Sequence, residues 1–298
     1  MLHRASRSIR LPAWAALSAH TRCLSGYTSN QVGVKGTIDS RLVFVNASSG
    51  AAVSPWHDIP LRPVGEKSSY VFHFVNEIPK GTRAKMEIAG EEARNPIKQD
   101  VKNGNLRFYH FDSLVNYGCI PQTWEDPRHI DPATQHGGDN DPIDVCEIGS
   151  RVAAVGDVYP VKVLGVLGMI DDGETDWKVI AIATDDPLAN KLHGMVNILA
   201  FLVRPIVSPR KINKYAFILD YLADFLDLDD LHAHAPDTVA TIRNWFRDYK
   251  IPDGKPPSAF AFDGRAQSRD FAVDVIEQTH ASWKQLVHVN NQTKLWTK

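Results

Sequence analysis

The segment Gly138-Asp139-Asn140-Asp141-Pro142-Ile143-Asp144-Val145 concentrates three carboxylates in one short stretch of the chain. Pro142 fixes its own φ and disfavours helix at the residue before it, so the segment is not a helix face. In an extended segment Asp139 and Asp141 point the same way, and a turn at Asp141-Pro142 brings Asp144 back towards them. Like charges this close need a cation among them, and oxygen ligands suit Mg²⁺, Mn²⁺ or Ca²⁺. The segment therefore predicts a divalent-cation site.

Two other interpretations of this segment are a solvated acidic turn and an EF-hand calcium loop. An EF-hand requires Gly at position six and Glu at position twelve, but counting from Asp139 those positions hold Asp144 and Ser150. A second acidic run, Asp171-Asp172-Gly173-Glu174-Thr175-Asp176, lies between two β-like segments. Two acidic loops at strand ends favour a site shared by more than one cation over a solvated turn.

Composition excludes several classes of protein. The 298-residue chain has a formal net charge of −2, 43% hydrophobic residues, 18 prolines and three cysteines. This length allows a sizeable core in one or two domains, and the near-zero charge gives no global basic field for nucleic acid. Cys23, Cys119 and Cys146 lack zinc-site spacing, and their odd number favours a reducing compartment over secretion.

Residues 1–26 have the composition of a mitochondrial transit peptide. Their basic residues are Arg4, Arg7, Arg10 and Arg22. These are scattered among Ala, Ser and Leu, no acidic residue occurs before Asp39, and Pro12 interrupts the apolar core that a secretory signal needs. The alternative is a disordered basic tail. Cleavage near Ser25 would remove four positive charges, taking the formal net charge from −2 to −6, and we expect the mature protein in the mitochondrial matrix.

Hydrophobic patterning predicts a β-rich domain with helices near its end. Strands are expected at 42–46, 70–75, 84–88, 106–110, 158–168 and 177–183, polar loop at 95–104, and helices at 236–249 and 271–287. The two longest strands predict a hairpin whose turn is the second acidic run, and Asp237 is expected to cap the first helix. Many short strands with Gly and Pro turns favour a closed barrel, so the predicted class is α+β, mainly β, with two packed helices.

Basic and phenolic side chains recur where they can face the carboxylates. They are Lys85, Arg107, Lys178, Tyr249 and Lys250. Lys85 and Glu87 are two residues apart on a predicted strand and share a face, as do Asp176 and Lys178. Each group alone is typical of a surface ion pair. Together with bound cations they suit a small polyanion such as a phosphate ester or anhydride.

Several segments match one known family. They are Glu77-Ile78-Pro79, Ala84-Lys85-Met86-Glu87-Ile88, Asn116-Tyr117-Gly118, Pro121-Gln122-Thr123-Trp124-Glu125-Asp126-Pro127, Gly173-Glu174-Thr175-Asp176-Trp177-Lys178-Val179 and Trp245-Phe246-Arg247-Asp248-Tyr249-Lys250-Ile251-Pro252-Asp253-Gly254-Lys255. With the signature D-[small/polar]-D-[PE]-[apolar]-D at Asp139 to Asp144, they make the chain resemble a soluble family I inorganic pyrophosphatase of the eukaryotic type, from about Tyr27 to about Leu286. The resemblance implies an OB-like five-stranded β-barrel with flanking helices. It also implies Mg²⁺-dependent hydrolysis of pyrophosphate to two phosphates, which supplies phosphate and pulls biosynthetic reactions forward.

The resemblance implies a role for each residue of the site. The implied cation ligands are Asp139, Asp144 and Asp176 for two activating ions, with Asp171, Glu87 and again Asp176 for ions that arrive with the substrate. Asp141 is implied to accept a proton from the attacking water. The implied phosphate-binding groups are Arg107, Tyr249, Lys250, Lys85 and Tyr117, with Lys178 beside Asp176 and Glu77 as an outer-shell carboxylate. The expected cofactor is Mg²⁺, with Mn²⁺ or other divalent ions as substitutes.

Two features depart from the family pattern. Deleting residues 194–226 restores a family-like sequence, and the ends of this segment can be encoded by a GT…AG intron, so one hypothesis is a retained intron. The rival is a genuine insertion, such as a membrane-docking hairpin, whose apolar run 195–203 is too short to span a bilayer. The loop between Arg107 and Asn116 is also several residues shorter, and Lys80-Gly81 replaces Arg-Trp. These differences affect the dimer contact of the family, although a homodimer is still expected.

Two other functions are compatible with the residues. One is a catalytically impaired relative of the family, and the other is an OB-type module that binds polyphosphate or oligonucleotide. Binding of single strands needs exposed aromatics in a basic groove. Trp124, Trp177, Trp245 and Trp283 instead fall in patterns typical of packed residues, beside a predicted acidic pocket. We therefore expect no nucleic-acid partner and no stable membrane insertion.

Overall fold

The computed structural model describes residues 26–193, 237–288 and 293–297. The predicted transit peptide, apart from Gly26, and the 194–226 segment lie outside the described residues. No helix within the described ranges combines the length and hydropathy needed to cross a bilayer. Of the cysteines that the structure describes, Cys119 and Cys146 are buried free thiols.

The described residues form short strands and two longer helices. The strands are β1 (Tyr27–Val32), β2 (Arg41–Asn46), β3 (Ala52–Val53), β4 (Val71–Ile78), β5 (Met86–Ile88), β6 (Ile97–Gln99), β7 (Val101–Lys102), β8 (Asn105–Leu106), β9 (Asn116–Cys119), β10 (Asp144–Glu147), β11 (Val158–Asp171), β12 (Glu174–Ala183) and β13 (Ala259–Phe260). The helices are α1 (Thr238–Asp248) and α2 (Arg269–His288), with single 3-10 turns at Lys191–His193, Ile251–Asp253 and Ala261–Gly264.

Five strands close a barrel. Their hydrogen-bonding order is β12-β10-β9-β4-β11, and β11 returns to pair with β12. Strands β10 and β12 run parallel, whereas the other pairs are antiparallel. The register of β11 shifts between Val163 and Gly165, and such a bulge bends a strand as closure requires. The predicted mainly-β class with an OB-like five-stranded barrel and flanking helices is confirmed.

The barrel core and the two helices bury the apolar positions of the sequence pattern. Fully buried barrel side chains include Phe72, Phe74, Val145, Val161 and Val179. Helix α2 buries Ala272, Val275 and Ile276 against this cluster, and α1 buries Val239, Ile242 and Phe246 against a second one. Each large apolar side chain buried in this way contributes about 1.5–3 kcal/mol, so the packing fixes the strand ends that carry the site.

Three local predictions are wrong. The stretch 95–104 is not all loop, because it contains β6 and β7, and Ile97 is fully buried against β2 and β5. The strand expected at 106–110 ends at Leu106, so Arg107 does not open a strand. Helix α1 does start after Asp237, but that residue has φ 62° and its side chain makes no capping hydrogen bond.

Candidate active site

A cleft of about 890 Å³, including its open mouth, lies against β5, the ends of β10 and β12, and the residues that follow α1. Its lining includes Glu77, Lys85, Glu87, Tyr117, Asp139, Asp141, Asp144, Asp171, Asp176, Lys178 and Tyr249. Arg107 and Lys250 do not line the cleft itself but contact residues at its edge. The fold therefore brings the predicted site residues into or beside one cleft from seven separate parts of the chain.

The carboxylate segment is a tight turn and not the extended stretch expected from its sequence. Asn140 has φ 76°, and the Asp141 N–H donates to Asp139 Oδ1 at 3.1 Å. Pro142 and Ile143 are buried, and the Ile143 N–H donates to Thr123 Oγ1 at 3.0 Å. The apolar pair thus anchors the turn, so that Asp139 and Asp141 both reach the cleft while Asp144 begins β10.

Lys178 is the buried cation at the inner end of the cleft. Its Nζ donates to Asp176 Oδ1 at 2.5 Å, to Asp144 Oδ2 at 2.6 Å and to the Tyr117 hydroxyl at 2.8 Å. Asp144 and Lys178 are opposite each other in the parallel pairing of β10 with β12, which sets this geometry. Burial opposes the charge, but Asp144 and Asp176 more than compensate and raise the pKa of Lys178, so it remains protonated.

Lys85 and Arg107 lie at the rim and converge on Asp100. Asp100 Oδ2 lies 3.1 Å from Lys85 Nζ and accepts from Arg107 Nη1 at 2.9 Å. Lys85 Nζ also donates to Glu87 Oε2 at 2.7 Å, so the pair predicted to share a strand face does so. The Asp100 carboxylate therefore holds two cations side by side at the cleft mouth.

The second acidic run forms the turn between β11 and β12, as predicted. Asp172 and Gly173 have φ 49° and 91°, the positive values of a tight hairpin turn. Lys250 Nζ donates to Asp171 Oδ2 at 2.5 Å and to Asp172 Oδ2 at 3.0 Å, and the Tyr249 hydroxyl donates to Asp171 Oδ2 at 2.8 Å. The end of α1 is thereby attached to the hairpin on this side of the cleft.

Two further carboxylates have unusual proton affinities. Burial, together with the charges of Glu87 and Asp144, raises the pKa of Asp141 to about 7 although its side chain opens to the cleft. Glu77 is 5% exposed and accepts the Ile88 N–H at 2.7 Å. Burial and then Asp144 raise the pKa of Glu77 well above its usual range. A divalent cation in the cleft would favour the ionised form of both groups.

Sequence reasoning missed three residues of this region. Asp100 was placed in a loop, Tyr109 was assigned no role, and Glu125 was quoted only as part of a family-like segment. The Tyr109 ring lines the cleft and packs edge-on against Trp245 with ring centroids 5.1 Å apart. Glu125 does not itself line the cleft, but one oxygen from each of Glu125, Asp139 and Asp176 lies within 4.8 Å of the other two. No spacing pattern marks these positions, because each reaches the site through tertiary packing.

The donor set fits a hard divalent cation. The acidic side chains of the cleft offer only oxygen atoms, and Mg²⁺, Mn²⁺ and Ca²⁺ prefer such ligands. Glu125 Oε2 is moreover a buried atom without a hydrogen-bond partner among the described residues. The buried carboxylates around Lys178 outnumber this one lysine, and a bound cation is the simplest way to balance their negative charge.

A closed barrel with an acidic cleft, and with lysine, arginine and tyrosine in or beside its mouth, is typical of a metal-dependent enzyme that acts on phosphates. A sequence model of the family described as inorganic pyrophosphatase matches residues 74–208 and 218–284. The chain belongs to the inorganic pyrophosphatase family, whose members depend on divalent metal ions.

Similar proteins include curated relatives and solved structures. An inorganic pyrophosphatase of Mus musculus is 45% identical over 269 residues, 89% of this chain and 80% of the relative. Inorganic pyrophosphatase 2, mitochondrial, also of Mus musculus, is 43% identical over 291 residues, 92% of this chain and 78% of the relative. The solved structure of the inorganic pyrophosphatase from Schistosoma japonicum superposes with a TM-score of 0.76 at 39% identity, covering 91% of this chain and 85% of the other.

Proposed function

We propose that this chain hydrolyses inorganic pyrophosphate to two phosphates, with Mg²⁺ as the divalent cation. The observation that carries the proposal is the combination of charges in the cleft of a member of this family. Carboxylates line the cleft in excess around the buried Lys178, and further lysine, arginine and tyrosine side chains lie in or beside its mouth. A small, highly charged anhydride that arrives with cations is complementary to both.

Asp139, Asp144, Asp176, Asp171 and Glu87 would hold the cations. When bound, the cations lower the pKa of water and neutralise charge on the phosphoryl oxygens. The turn at Asp139–Asp141 and the pairing of β10 with β12 fix three of these ligands on rigid backbone. The chain therefore holds its ligands in place before substrate binds, which reduces the entropic cost of binding.

Asp141 is the residue that we assign to proton transfer. Its carboxylate opens to the cleft and accepts the proton of the attacking water as the water oxygen bonds to phosphorus and the bridging oxygen leaves with the second phosphate. Without a cation, burial and neighbouring acids raise its pKa to about 7, and a bound cation would favour the ionised form that a proton acceptor needs. The positive charge of Lys85 opposes this rise and helps to keep the carboxylate ionised.

The basic and phenolic groups hold the phosphoryl oxygens. Arg107, Tyr249 and Lys250 bind one phosphoryl end, Lys85 and Tyr117 are further phosphate-binding groups, and Lys178 orients Asp144 and Asp176. Charge-assisted hydrogen bonds from such donors are stronger than neutral ones and also favour the negative charge that spreads over the oxygens during the reaction. Glu77 remains outside this set as an acidic group beneath β5.

Location and assembly are part of the proposal. Similarity to a relative named mitochondrial, together with the arginine-rich, acid-free N-terminus, supports import into mitochondria and cleavage near residue 26. A homodimer is proposed from the family resemblance. The hypothesis that residues 194–226 represent a retained intron stays a prediction, and sequencing of the spliced transcript tests it.

Phosphate release from pyrophosphate with Mg²⁺ tests the proposed function. The chain from Tyr27 onward and the same chain without 194–226 are assayed beside Asp141→Asn, which preserves shape. We expect release by at least one of the first two and a large loss in the variant. Binding of a single-stranded oligonucleotide without any phosphate release would instead support the OB-type binding module. Activity only after deletion of 194–226 would favour the retained intron.

A further inference from the structure

Glu125 is a buried carboxylate beside the cleft-lining Asp139 and Asp176, and it has no role in the proposed mechanism. Its side chain is 3% exposed. Oε1 accepts the backbone N–H of Trp177 at 3.0 Å, whereas Oε2 is buried and has no hydrogen-bond partner in the described parts of the chain. A buried carboxylate oxygen without a donor is strongly unfavourable unless a cation or a proton satisfies it.

The surroundings of Glu125 favour a cation over a proton. One carboxylate oxygen from each of Glu125, Asp139 and Asp176 lies within 4.8 Å of the other two. Lys178 is paired with Asp176 and Asp144, and no salt bridge reaches Glu125 or Asp139 among the described residues. A single proton could neutralise only one of these carboxylates, whereas one divalent cation could neutralise two and be coordinated by all three.

The backbone around Glu125 holds it against the carboxylate turn. The Glu125 N–H donates to the Asp141 carbonyl at 2.9 Å, and the Asn140 N–H donates to the Glu125 carbonyl at 2.9 Å. Gly138 lies so close that a Cβ there would be 2.3 Å from the Glu125 carbonyl carbon. Glycine is therefore required at 138, and the turn that carries Asp139 cannot move independently of Glu125.

The second side of Glu125 is fixed by β12. The hydrogen bond from Trp177 ties its side chain to the residue after Asp176, and the Thr175 N–H donates to the Gly137 carbonyl at 2.7 Å. The three carboxylates thus come from three chain segments that hydrogen-bond to one another. A site organised before its ligand arrives binds that ligand more tightly than a flexible one.

We propose that Glu125 is a third carboxylate of the divalent-cation site formed with Asp139 and Asp176, and that it holds the ion directly or through one bound water. This proposal deepens the proposed function. The two share one premise, that a cation binds beside Asp139 and Asp176. Glu125 acts on the cation and not on pyrophosphate. Its loss is therefore expected to weaken cation binding in the absence of any substrate.

The test measures Mn²⁺ binding by titration calorimetry and the Mg²⁺-dependent rise in Tm, both without pyrophosphate. Glu125→Gln keeps the shape and an acceptor for the Trp177 N–H but removes the charge. We expect Mn²⁺ affinity to fall about 10–100-fold, the range seen when a carboxylate that supports a metal site is lost. Because the new amide can donate to Asp139 or Asp176, the Tm without metal should stay the same or rise. A purely structural role would lower it.

Asp131→Asn is the matched control. Asp131 is also a buried carboxylate, 8% exposed, whose Oδ2 accepts Trp177 Nε1 at 3.3 Å, and it is not among the residues that line the cleft. The Mn²⁺ affinity of the Asp131→Asn variant should equal that of the wild-type chain. Affinity of Glu125→Gln within twofold of wild type, or an equal loss in both variants, overturns the proposal.

Two further outcomes are informative. If Glu125→Gln does not fold, Glu125→Asp is measured instead, because it retains the charge but has a shorter side chain. An intermediate loss of Mn²⁺ affinity in Glu125→Asp supports the proposal. Wild-type Mn²⁺ affinity in that variant overturns it. Glu125-dependent Mn²⁺ binding in a chain that releases no phosphate from pyrophosphate would support the cation assignment while the proposed function fails. If the chain releases phosphate but its Mn²⁺ affinity does not depend on Glu125, the proposed function stands and the cation assignment of Glu125 fails.

Discussion

The pKa values of carboxylates shift in opposite directions at the inner end and at the rim of the cleft. At the inner end, burial raises the pKa of Glu125, Asp139 and Asp176, and neighbouring acids add to the effect. At the rim, Lys85 and Arg107 outweigh partial burial and lower the pKa of Asp100. The inner end therefore carries acidity in excess and suits a positive ligand. The rim, where acids and bases are matched, presents cations that a polyanion can contact.

The largest expected effect lies at the carboxylate turn. Asp141→Asn removes the proton acceptor while keeping the side-chain shape, and kcat for pyrophosphate should fall about 10²–10⁴-fold, the range typical of a general base. Cation binding should change little, because Asp141 is not among the proposed ligands. Steady-state kinetics at saturating Mg²⁺ measure the first effect, and calorimetry measures the second. A kcat within threefold of wild type would remove Asp141 from this role.

The next effect contrasts two lysines on the same side of the rim. Lys250 is 13% exposed and pairs with Asp171 and Asp172, whereas Lys255 is 49% exposed and pairs with Asp172 alone. Lys250→Met should raise KM about 10–100-fold, because a hydrogen bond to a charged group contributes about 1.5–3 kcal/mol. Lys255→Met is the control and should stay within about fivefold, as expected for an exposed pair. Equal changes in KM in the two variants would contradict the assignment of Lys250, and not Lys255, to substrate binding.

This comparison also explains what the sequence could predict. The aspartates of 139–144 and 171–176 stand in short runs whose spacing is visible without a structure, and the hairpin between β11 and β12 follows from its β-branched strands. Asp100 is an isolated acid between Gln99 and Val101, and Glu125 stands with Asp126 between Trp124 and Pro127, so neither belongs to the two acidic runs. They join the site only because β6 pairs with β5 and because Glu125 hydrogen-bonds to the turn at Asn140. Contacts between segments that are distant along the chain leave no local periodicity.

The family resemblance extended the prediction further than residue patterns alone. Spacing could suggest that Lys85 and Glu87 share a face, and the 2.7 Å ion pair agrees. Spacing could not place Arg107, which follows β8 outside any strand and reaches the rim through Asp100. Nor could it show that the loop from Arg107 to Asn116, although short, brings Tyr109 against Trp245 and Tyr249. Loop length is visible in a sequence, but loop path is not.

A third prediction concerns stability at the rim. Asp100→Asn should lower the free energy of unfolding at pH 7 by about 1–2 kcal/mol, between the values for exposed and for buried pairs. Because the pKa of Asp100 is lowered in the folded state, its contribution is complete above the unfolded pKa of about 3.9 and is lost as pH falls through the lower folded value. The difference between wild type and variant should therefore be constant from pH 7 to pH 5.

Urea unfolding at pH 7, 5 and 4 measures that difference. A gap that widens on acidification would show that Asp100 is not held ionised by Lys85 and Arg107. Asp112→Asn serves as a control, because the Arg83–Asp112 pair is more than half exposed on both sides and should contribute little.

The smallest effect is expected from Asp172→Asn in the hairpin turn. Asp172 contacts Lys250 and Lys255, but its side chain is 47% exposed, so loss of the charge should cost at most about 1 kcal/mol of stability. Asn tolerates the φ of 49° at this position, so the backbone should not add a penalty. The loss should shrink in 0.5 M salt, because screening weakens exposed pairs. Urea unfolding at low and high salt checks this. A salt-independent loss of stability would mean that Asp172 stabilises the turn itself and not only through its ion pairs with the two lysines. The contrast between the rim and the inner end would then not rest on charge alone.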